Sequence, residues 1–365
     1  MENKRLLIVT SEFPPQPGGI GNHAYHLALY LSKHGYAVSV IADQRDVANA
    51  EEVAFDADLD FEVQRITISK PRFLMYGKRI ITTLGAFKQA DYVIATGKFS
   101  LWNVGFCSLF FKRFKLAVIH GSEVNFKSAV LRKSIDRALK RFDKIVAVST
   151  YTAGFVKHLN KPVVVIPNGI TLESWPMPAP KSRSLSGNPV LTTVGRVSTR
   201  KGQLGVIKLL PELVKAYPEL MYHCIGIPTE AAAFLETATA LGVREHVCFH
   251  GAVSDAELKQ LLGGTDVFVM LSTESQTGDV EGFGIAILEA NAMGIPAIGS
   301  VGCGIADAVS IGASGYLVPS TDAAAFKSYL DALLSDQESY RAQARAWAAA
   351  HDWDVVIKHY IRYLS

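Results

Sequence analysis

Residues 190–202 read Val190-Leu191-Thr192-Thr193-Val194-Gly195-Arg196-Val197-Ser198-Thr199-Arg200-Lys201-Gly202. An apolar, β-branched run is followed at once by a basic turn bounded by glycines, the pattern of a strand feeding a loop that opens a helix. The N-terminus opens in the same manner. Leu6–Thr10 runs into Ser11-Glu12-Phe13-Pro14-Pro15-Gln16-Pro17-Gly18-Gly19-Ile20-Gly21, and then His23, Leu27, Tyr30 and Leu31 share one helical face. Between the two openings lie Ala37–Ala42, Tyr92–Ala95, Leu116–His120, Ile145–Ser149 and Val163–Pro167. After the second come Met221–Ile225, Val247–His250, Val267–Leu271, Ala297–Ser300 and Gly315–Val318. Short apolar runs alternating with helical stretches predict parallel strands with crossover helices, hence two doubly wound α/β domains. Pro176, Pro178, Pro180 and Pro189 interrupt the series among Ser and Gly and predict a linker. The expected organisation is a first Rossmann-like domain over residues 1–170, a linker over 171–189 and a second Rossmann-like domain over 190–345. A C-terminal helix over 346–365 is expected to return to the first domain. From Ala323 onwards the sequence reads as two helices. Strand carboxyl ends of two such domains would face a shared cleft, where open α/β sheets bind ligands.

The chain has 365 residues, 49% of them hydrophobic, more than one core usually serves. Residues 6–10 run into Ser11-Glu12 without a cleavage-like site, and the longest apolar stretch, Leu101–Phe111, contains Asn103 and is too short to span a bilayer. The expected location is cytoplasmic, or peripheral on the inner face of the membrane. Cys107, Cys224, Cys248 and Cys303 lie far apart with no CxxC pair, so they are read as small core residues rather than as zinc ligands or a disulfide framework.

Net charge is +3 but uneven: residues 1–170 carry 23 Lys+Arg against 14 Asp+Glu, whereas residues 171–365 carry 14 against 20. Different partners for the two halves follow. In Phe126–Lys144, Leu131, Ile135, Ala138, Leu139 and Phe142 recur at helical spacing among seven Lys and Arg. Phe111-Lys112-Arg113-Phe114-Lys115 adds a basic aromatic cluster. A basic amphipathic helix can lie on anionic lipid; the alternative is an apolar face packed on its own sheet with solvated charges. No nucleic-acid motif accompanies the charge, so nucleic acid is not an expected partner.

Three segments carry the chemistry. Gly18-Gly19 before a helix N-terminus let a backbone approach an anion, although GxGxxG is absent. Arg196 and Lys201, at a strand's carboxyl end, suit a diphosphate as fork and point charge. Glu281-Gly282-Phe283-Gly284-Ile285-Ala286-Ile287-Leu288-Glu289 follows a strand and a polar loop, Ser272–Val280, and enters a helix over Ile285–Met293. Gly282 and Gly284 expose N–H groups at the helix start. Glu281 can accept hydrogen bonds from sugar hydroxyls, and Glu289, one helical turn past Ile285, can hold a ribose diol.

Two carboxylates separated by seven residues, with Gly-Phe-Gly after the first, resemble the signature of glycosyltransferase family 4. So do Gly195–Gly202, Gly18-Gly19 and Pro167-Asn168-Gly169-Ile170, in the family's order through nearly the whole chain. The resemblance implies a GT-B fold and a retaining, metal-independent hexosyltransferase. Its donor would be a GDP- or UDP-linked sugar and its acceptor a glycan, a lipid-linked sugar or a small molecule in cell-envelope or polysaccharide synthesis, with no cofactor besides. Phe-Pro-Pro-x-x-Gly-Gly-Ile and Asp279-Val280-Glu281-Gly282 are similar to bacterial GDP-mannose-dependent mannosyltransferases acting on phosphatidylinositol mannosides. The resemblance implies that Arg196 and Lys201 hold the diphosphate with Gly19 and the Phe283–Ile285 N–H groups, that Glu289 binds ribose and Glu281 the transferred sugar. It also implies that His120 lies near the reacting centre and Val253 beside the nucleobase. The long polar Ser272–Val280 departs from the family's short, proline-containing form, which leaves acceptor contacts there open.

Transfer passes through an oxocarbenium-like state as the diphosphate leaves, so fixed positive charge and N–H dipoles at the phosphates are the main lever. No Asp-x-Asp cluster ends a strand, and Asp56 and Asp58 are read as a solvated loop. Front-face transfer, with a β-phosphate oxygen taking the acceptor's proton, is the family's analogy. The competing classes are a non-catalytic nucleotide-sugar-binding protein, a nucleotide-sugar epimerase of the same fold, and an NAD-dependent oxidoreductase, which the missing GxGxxG disfavours.

Overall fold

The computed structural model describes residues 4–177 and 185–364. Pro178 and Pro180 of the expected linker lie outside the described residues. The chain divides into two compact units, 1–168 with 353–365, and 169–352.

In the first unit, parallel strands β1 (Arg5–Thr10), β2 (Ala37–Asp43), β3 (Glu62–Ile66), β4 (Tyr92–Thr96), β5 (Phe114–Ile119), β6 (Lys144–Ala147) and β7 (Val163–Val165) form one sheet in the order β3-β2-β1-β4-β5-β6-β7. Between them run α1 (Gly19–Lys33), α2 (Ala50–Ala57), α3 (Arg72–Gln89), α4 (Lys98–Cys107), α5 (Ala129–Leu139) and α6 (Thr150–Gly154). Central strands such as β1 are apolar on both faces because helices cover both. Phe87 of α3, Leu101 and Val104 of α4, and Ile135 and Leu139 of α5 bury against one face. β3 has no counterpart in the expected strand list. Glu-Val-Gln-Arg-Ile is an edge strand in which only Ile66 is fully buried, so it lacks an apolar run.

In the second unit, β8 (Val190–Val194), β9 (Met221–Ile225), β10 (Val247–Gly251), β11 (Val267–Met270), β12 (Ala297–Ser300) and β13 (Gly315–Val318) form a parallel sheet in the order β10-β9-β8-β11-β12-β13. Its helices are α7 (Gln203–Ala216), α8 (Ala231–Ala240), α9 (Asp255–Gly263), α10 (Ile285–Ala292), α11 (Ala323–Ser335) and α12 (Gln337–Ala349). The last helix, α13 (Trp353–Leu364), packs on α1 of the first unit. The sequence from Ala323 onwards thus makes three helices rather than two, and residues 346–349 close α12 rather than open the returning helix. The described part of 171–189 is not a free tether. Trp175 is buried, and Arg345 donates to its carbonyl at 2.6 Å, which seats the segment on the second unit.

Candidate active site

The turn after β8 is built to aim cations. Gln203, fully buried, accepts from the Ser198 N–H at 3.2 Å and donates to the Arg196 carbonyl at 3.2 Å, fixing the loop from below. Gly202 sits at φ +85°, and a Cβ there would fall 2.1 Å from the Leu271 carbonyl, so only glycine lets the turn close on the end of β11. A 3-10 turn over Thr199–Lys201 then swings two cations together: Lys201 Nζ donates to Glu281 Oε2 at 2.7 Å, and Arg200 Nη1 donates to the same oxygen at 3.0 Å. Burial works against charge on Glu281, but Lys201 and Arg200 hold its carboxyl below the ordinary value. Glu281 Oε1 has no partner among the described residues. Arg196 is exposed and makes no side-chain hydrogen bond among them.

Glu281–Gly284 is shaped by its neighbours. The Gly304 N–H donates to the Glu281 carbonyl at 2.9 Å, and a Cβ on Gly304 would lie 2.0 Å from the Gly282 carbonyl. Phe283 is buried and anchors the turn, which leaves its N–H, and not its ring, open at the head of the helix. With Gly284 at the N-cap of α10, the N–H groups of Phe283, Gly284 and Ile285 find no acceptor among the described residues. Glu289 follows on the same helix, half-buried and without a hydrogen-bond partner among the described residues. Burial pushes its carboxyl up to about 7, with Lys201 opposing. Val253 packs part of its side chain on the small cluster of Leu185, Val190, Ile225 and Leu261, just before α9. The Ser272–Val280 loop holds itself: the Ser275 N–H donates to the Asp279 carbonyl and the Asp279 N–H to Ser275 Oγ.

In the first unit, the loop after β1 is braced by Arg65 of β3. Its guanidinium takes Asp56 in a bidentate pair at 2.7 Å, donates to Glu52 Oε1 at 3.0 Å and to the Pro14 carbonyl at 2.5 Å. Asp56 therefore lies on α2 in a part-buried network, not in the solvated loop read from the sequence. Gly19 opens α1, and a Cβ there would meet nothing within 4 Å, so the space above it is free. His120 stands just past β5. Its Nε2 shares a 2.9 Å hydrogen bond with Thr96 Oγ1, and its ring meets His23 of α1 edge-on at 4.9 Å. Burial lowers its imidazole to about 4, so it is neutral at physiological pH. The loop from His120 is held by Glu123, a buried carboxyl that accepts the His120 N–H and is pushed by burial up to about 7.

The structure gathers Arg196, Lys201, Glu281, Gly282–Ile285 and Glu289 around one end of the second sheet, whereas Gly19 and His120 belong to the first unit. Arg200, which shares Glu281 with Lys201, and Glu123, which holds the loop at His120, were not among the residues expected from the sequence, and nothing in the spacing of the turn marks which of its cations folds inward.

Residues 179–348 match the family model described as glycosyl transferases group 1, and residues 17–174 match that of Glycosyltransferase Family 4. The chain is 32% identical to a GDP-mannose-dependent alpha-(1-6)-phosphatidylinositol monomannoside mannosyltransferase of Mycolicibacterium smegmatis, over 95% of this chain and 93% of that one. It is 26% identical to a GDP-mannose-dependent monoacylated alpha-(1-6)-phosphatidylinositol monomannoside mannosyltransferase of Corynebacterium glutamicum, over 97% and 96%. Among solved structures it shares its fold with Anabaena HepE in complex with UDP and glucose, at TM-score 0.79 and 17% identity over 99% of each chain.

Proposed function

This chain belongs to glycosyltransferase family 4, and from that premise we propose that it moves mannose from GDP-mannose, with retention, onto a phosphatidylinositol mannoside or a related lipid-linked sugar. The observation that carries the reading is the set of unspent groups at the head of α10. Three N–H groups, the Arg196 guanidinium and the Glu289 carboxyl have no partner among the described residues, while Lys201 is already fixed by Glu281. An anionic diphosphate takes the N–H groups and the cations; a ribose diol takes Glu289. Glu281 keeps Oε1 for a hydroxyl of the transferred sugar. As the bond from sugar to phosphate breaks, negative charge grows on the β-phosphate, where Arg196 and Lys201 stabilise it without rearranging. A β-phosphate oxygen then takes the acceptor hydroxyl's proton as the acceptor oxygen bonds to the anomeric carbon on the face from which the diphosphate leaves. His120 of the first unit is neutral, so what it can offer a ligand is hydrogen bonding rather than charge.

A thermal-shift panel of GDP, UDP, ADP and their sugars tests the donor: GDP and GDP-mannose are expected to raise the melting temperature most. Stabilisation by UDP-sugars alone would overturn the mannose reading. Radiolabelled GDP-mannose with phosphatidylinositol monomannoside then tests the acceptor.

For the acceptor side we propose contact with an anionic membrane surface through the outer faces of α3, α4 and α5. No described helix is long and apolar enough to cross a membrane. α5 is shorter than the Phe126–Lys144 run, and Ile135, Ala138 and Leu139 pack inward, yet Val130 and Leu131 remain exposed. Ile81 of α3 and Phe106 of α4 are exposed on the neighbouring helices, with Phe110 just beyond. Lys112, Lys133, Arg137 and Lys140 are exposed on α5 and on the turn after α4. Within the Phe111–Lys115 cluster two cations are engaged by the chain itself: Lys115 pairs with Asp143 at 2.9 Å, and Arg113 donates to the Lys88 carbonyl. Co-sedimentation is expected with liposomes containing phosphatidylinositol and not with neutral ones; equal binding to both removes the electrostatic part of the reading.

A further inference from the structure

At the free edge of the second sheet, three metal-ligating side chains meet. His223 of β9 and Cys248 of β10 are register partners, and His250 lies two residues past Cys248. Their ligand atoms, one from each residue, all lie within 4.8 Å of one another. We propose that His223, Cys248 and His250 form a binding site for a borderline-soft divalent cation of the zinc class, with solvent in the fourth position.

Four observations carry this. First, the tautomer of His223 is set. Its Nε2 lies 3.0 Å from the Ser186 carbonyl, which can only accept, so Nε2 carries the proton and Nδ1 presents a lone pair. An outer N–H donated to a carbonyl is how metal-binding histidines are oriented. Second, His250 Nε2 lies 3.0 Å from that lone pair, close to the ~3.3 Å edge that two nitrogens span in a tetrahedral site with Zn–N bonds of about 2.0–2.1 Å. Third, the register of β10 against β9 shifts between Phe249 and Gly251, which makes His250 the extra residue of a bulge, a device that re-aims a side chain. Fourth, β10 is the edge strand, and Cys248 and His250 are only half-buried, so an ion has a path in from solvent. Cys248 is thus not the core residue expected from its sequence, unlike Cys107, Cys224 and Cys303, which are buried.

The proton balance is simple. The Cys248 thiol loses its proton to solvent and binds as thiolate. His223 binds through Nδ1 unchanged. His250 shifts its proton from Nε2 to Nδ1 and binds through Nε2, so one proton is released per ion bound. The site ties β9, β10 and the Ser186 backbone together, three residues before Val253. The Gly251 carbonyl also accepts from Gly226, next to β9, whose Ile225 carbonyl accepts from Gly195.

The test uses tag-free protein stripped with chelator and titrated with Co2+, a spectroscopic stand-in for Zn2+. Wild type is expected to take up one equivalent with a thiolate-to-cobalt charge-transfer band and tetrahedral visible bands. Zn2+ should displace the Co2+ and abolish both. Cys248→Ser should lose the sulfur band, and Cys248→Ser and His250→Ala should each weaken binding at least ~10-fold. Cys303→Ser should change neither. The GDP-mannose thermal shift, read alongside, reports folding of each variant and separates failure of this site from failure of the donor assignment. Substoichiometric uptake, a spectrum without the sulfur band, or a band that survives both variants overturns the proposal.

Discussion

Lys201 is held at two points, by Glu281 Oε2 at its head and by the αL turn at Gly202 behind it. A fixed donor of this kind is worth ~3–4 kcal/mol of barrier, so Lys201→Ala is expected to cut kcat by roughly 10²–10³, read in a steady-state assay with GDP-mannose. Unchanged turnover would remove Lys201 from the diphosphate. Glu289 gives a second expectation. Burial raises its carboxyl to about 7, and the ionised form is the better acceptor for a ribose diol. GDP-mannose affinity should therefore rise with pH through about 7 and level off above it, and Glu289→Gln should flatten that slope in calorimetric titration. Its diphosphate is already fully ionised in that range, so the slope belongs to the protein. Glu123 is raised in the same way, but its effect on folding has the opposite pH dependence. Its carboxyl is raised to about 7 in the folded chain, against 4.5 ordinarily, so its contribution to stability is full below about 4.5 and lost as pH rises to about 7. Glu123→Gln should flatten that fall in urea denaturation. Arg196, Lys201 and Glu281 could be placed from the sequence because each lies in a glycine-marked turn that follows a strand, and Glu289 because it falls within the helix that the last of these turns opens. Arg200 could not, since spacing along a turn does not say which side chain folds inward. The Cys248 cluster could not either, because its members meet only through strand pairing.

Elements were legible in proportion to how apolar they are. Val190–Val194, Met221–Ile225, Ala297–Ser300 and Gly315–Val318 appear with the bounds that their β-branched runs predict. Edge strand β3 did not, because one side of it meets polar partners. Those partners explain its retention: Arg65 from β3 joins Asp56 and Glu52 on α2 to the Pro14 carbonyl, so a polar strand braces the loop that leads into α1. Removing the guanidinium leaves a buried carboxylate, Glu52, and a part-buried one, Asp56, without their cation. Arg65→Ala is expected to destabilise the first unit by about 3–5 kcal/mol in chemical denaturation. A loss below 1 kcal/mol would mean that the network is solvated. The amphipathic run around α5 ends earlier than its periodicity implies, because the Lys140–Asp143 turn must bring the chain down to β6.

At the scale of the molecule, two doubly wound sheets were evident from the two matching strand-to-glycine openings, and the GT-B fold of the relatives agrees with them. The point where the chain returns was less legible. α12 and α13 are both helical in pattern, and it is packing, such as that of Trp353 on His23, His26 and Tyr30, that assigns the last one to the first unit. Tyr360 adds a 3.1 Å hydrogen bond to His23 Nε2, the one ring nitrogen of His23 that has a partner among the described residues. Deleting residues 353–365 should strip amide-exchange protection from α1 and leave β8–β13 protected. Equal loss in both sheets would show that they unfold as one.

The second unit is in effect inserted into the first, and this sets an order of manufacture. Everything from β1 to β7 leaves the ribosome before residues 169–352, and the helix that finishes that sheet comes last. At about 5–20 residues per second the nascent first unit waits roughly ten to forty seconds with the rings on α1 uncovered. Any product that stops short within the insertion never covers them, so incomplete chains display the sticky surface by which quality control recognises and removes them.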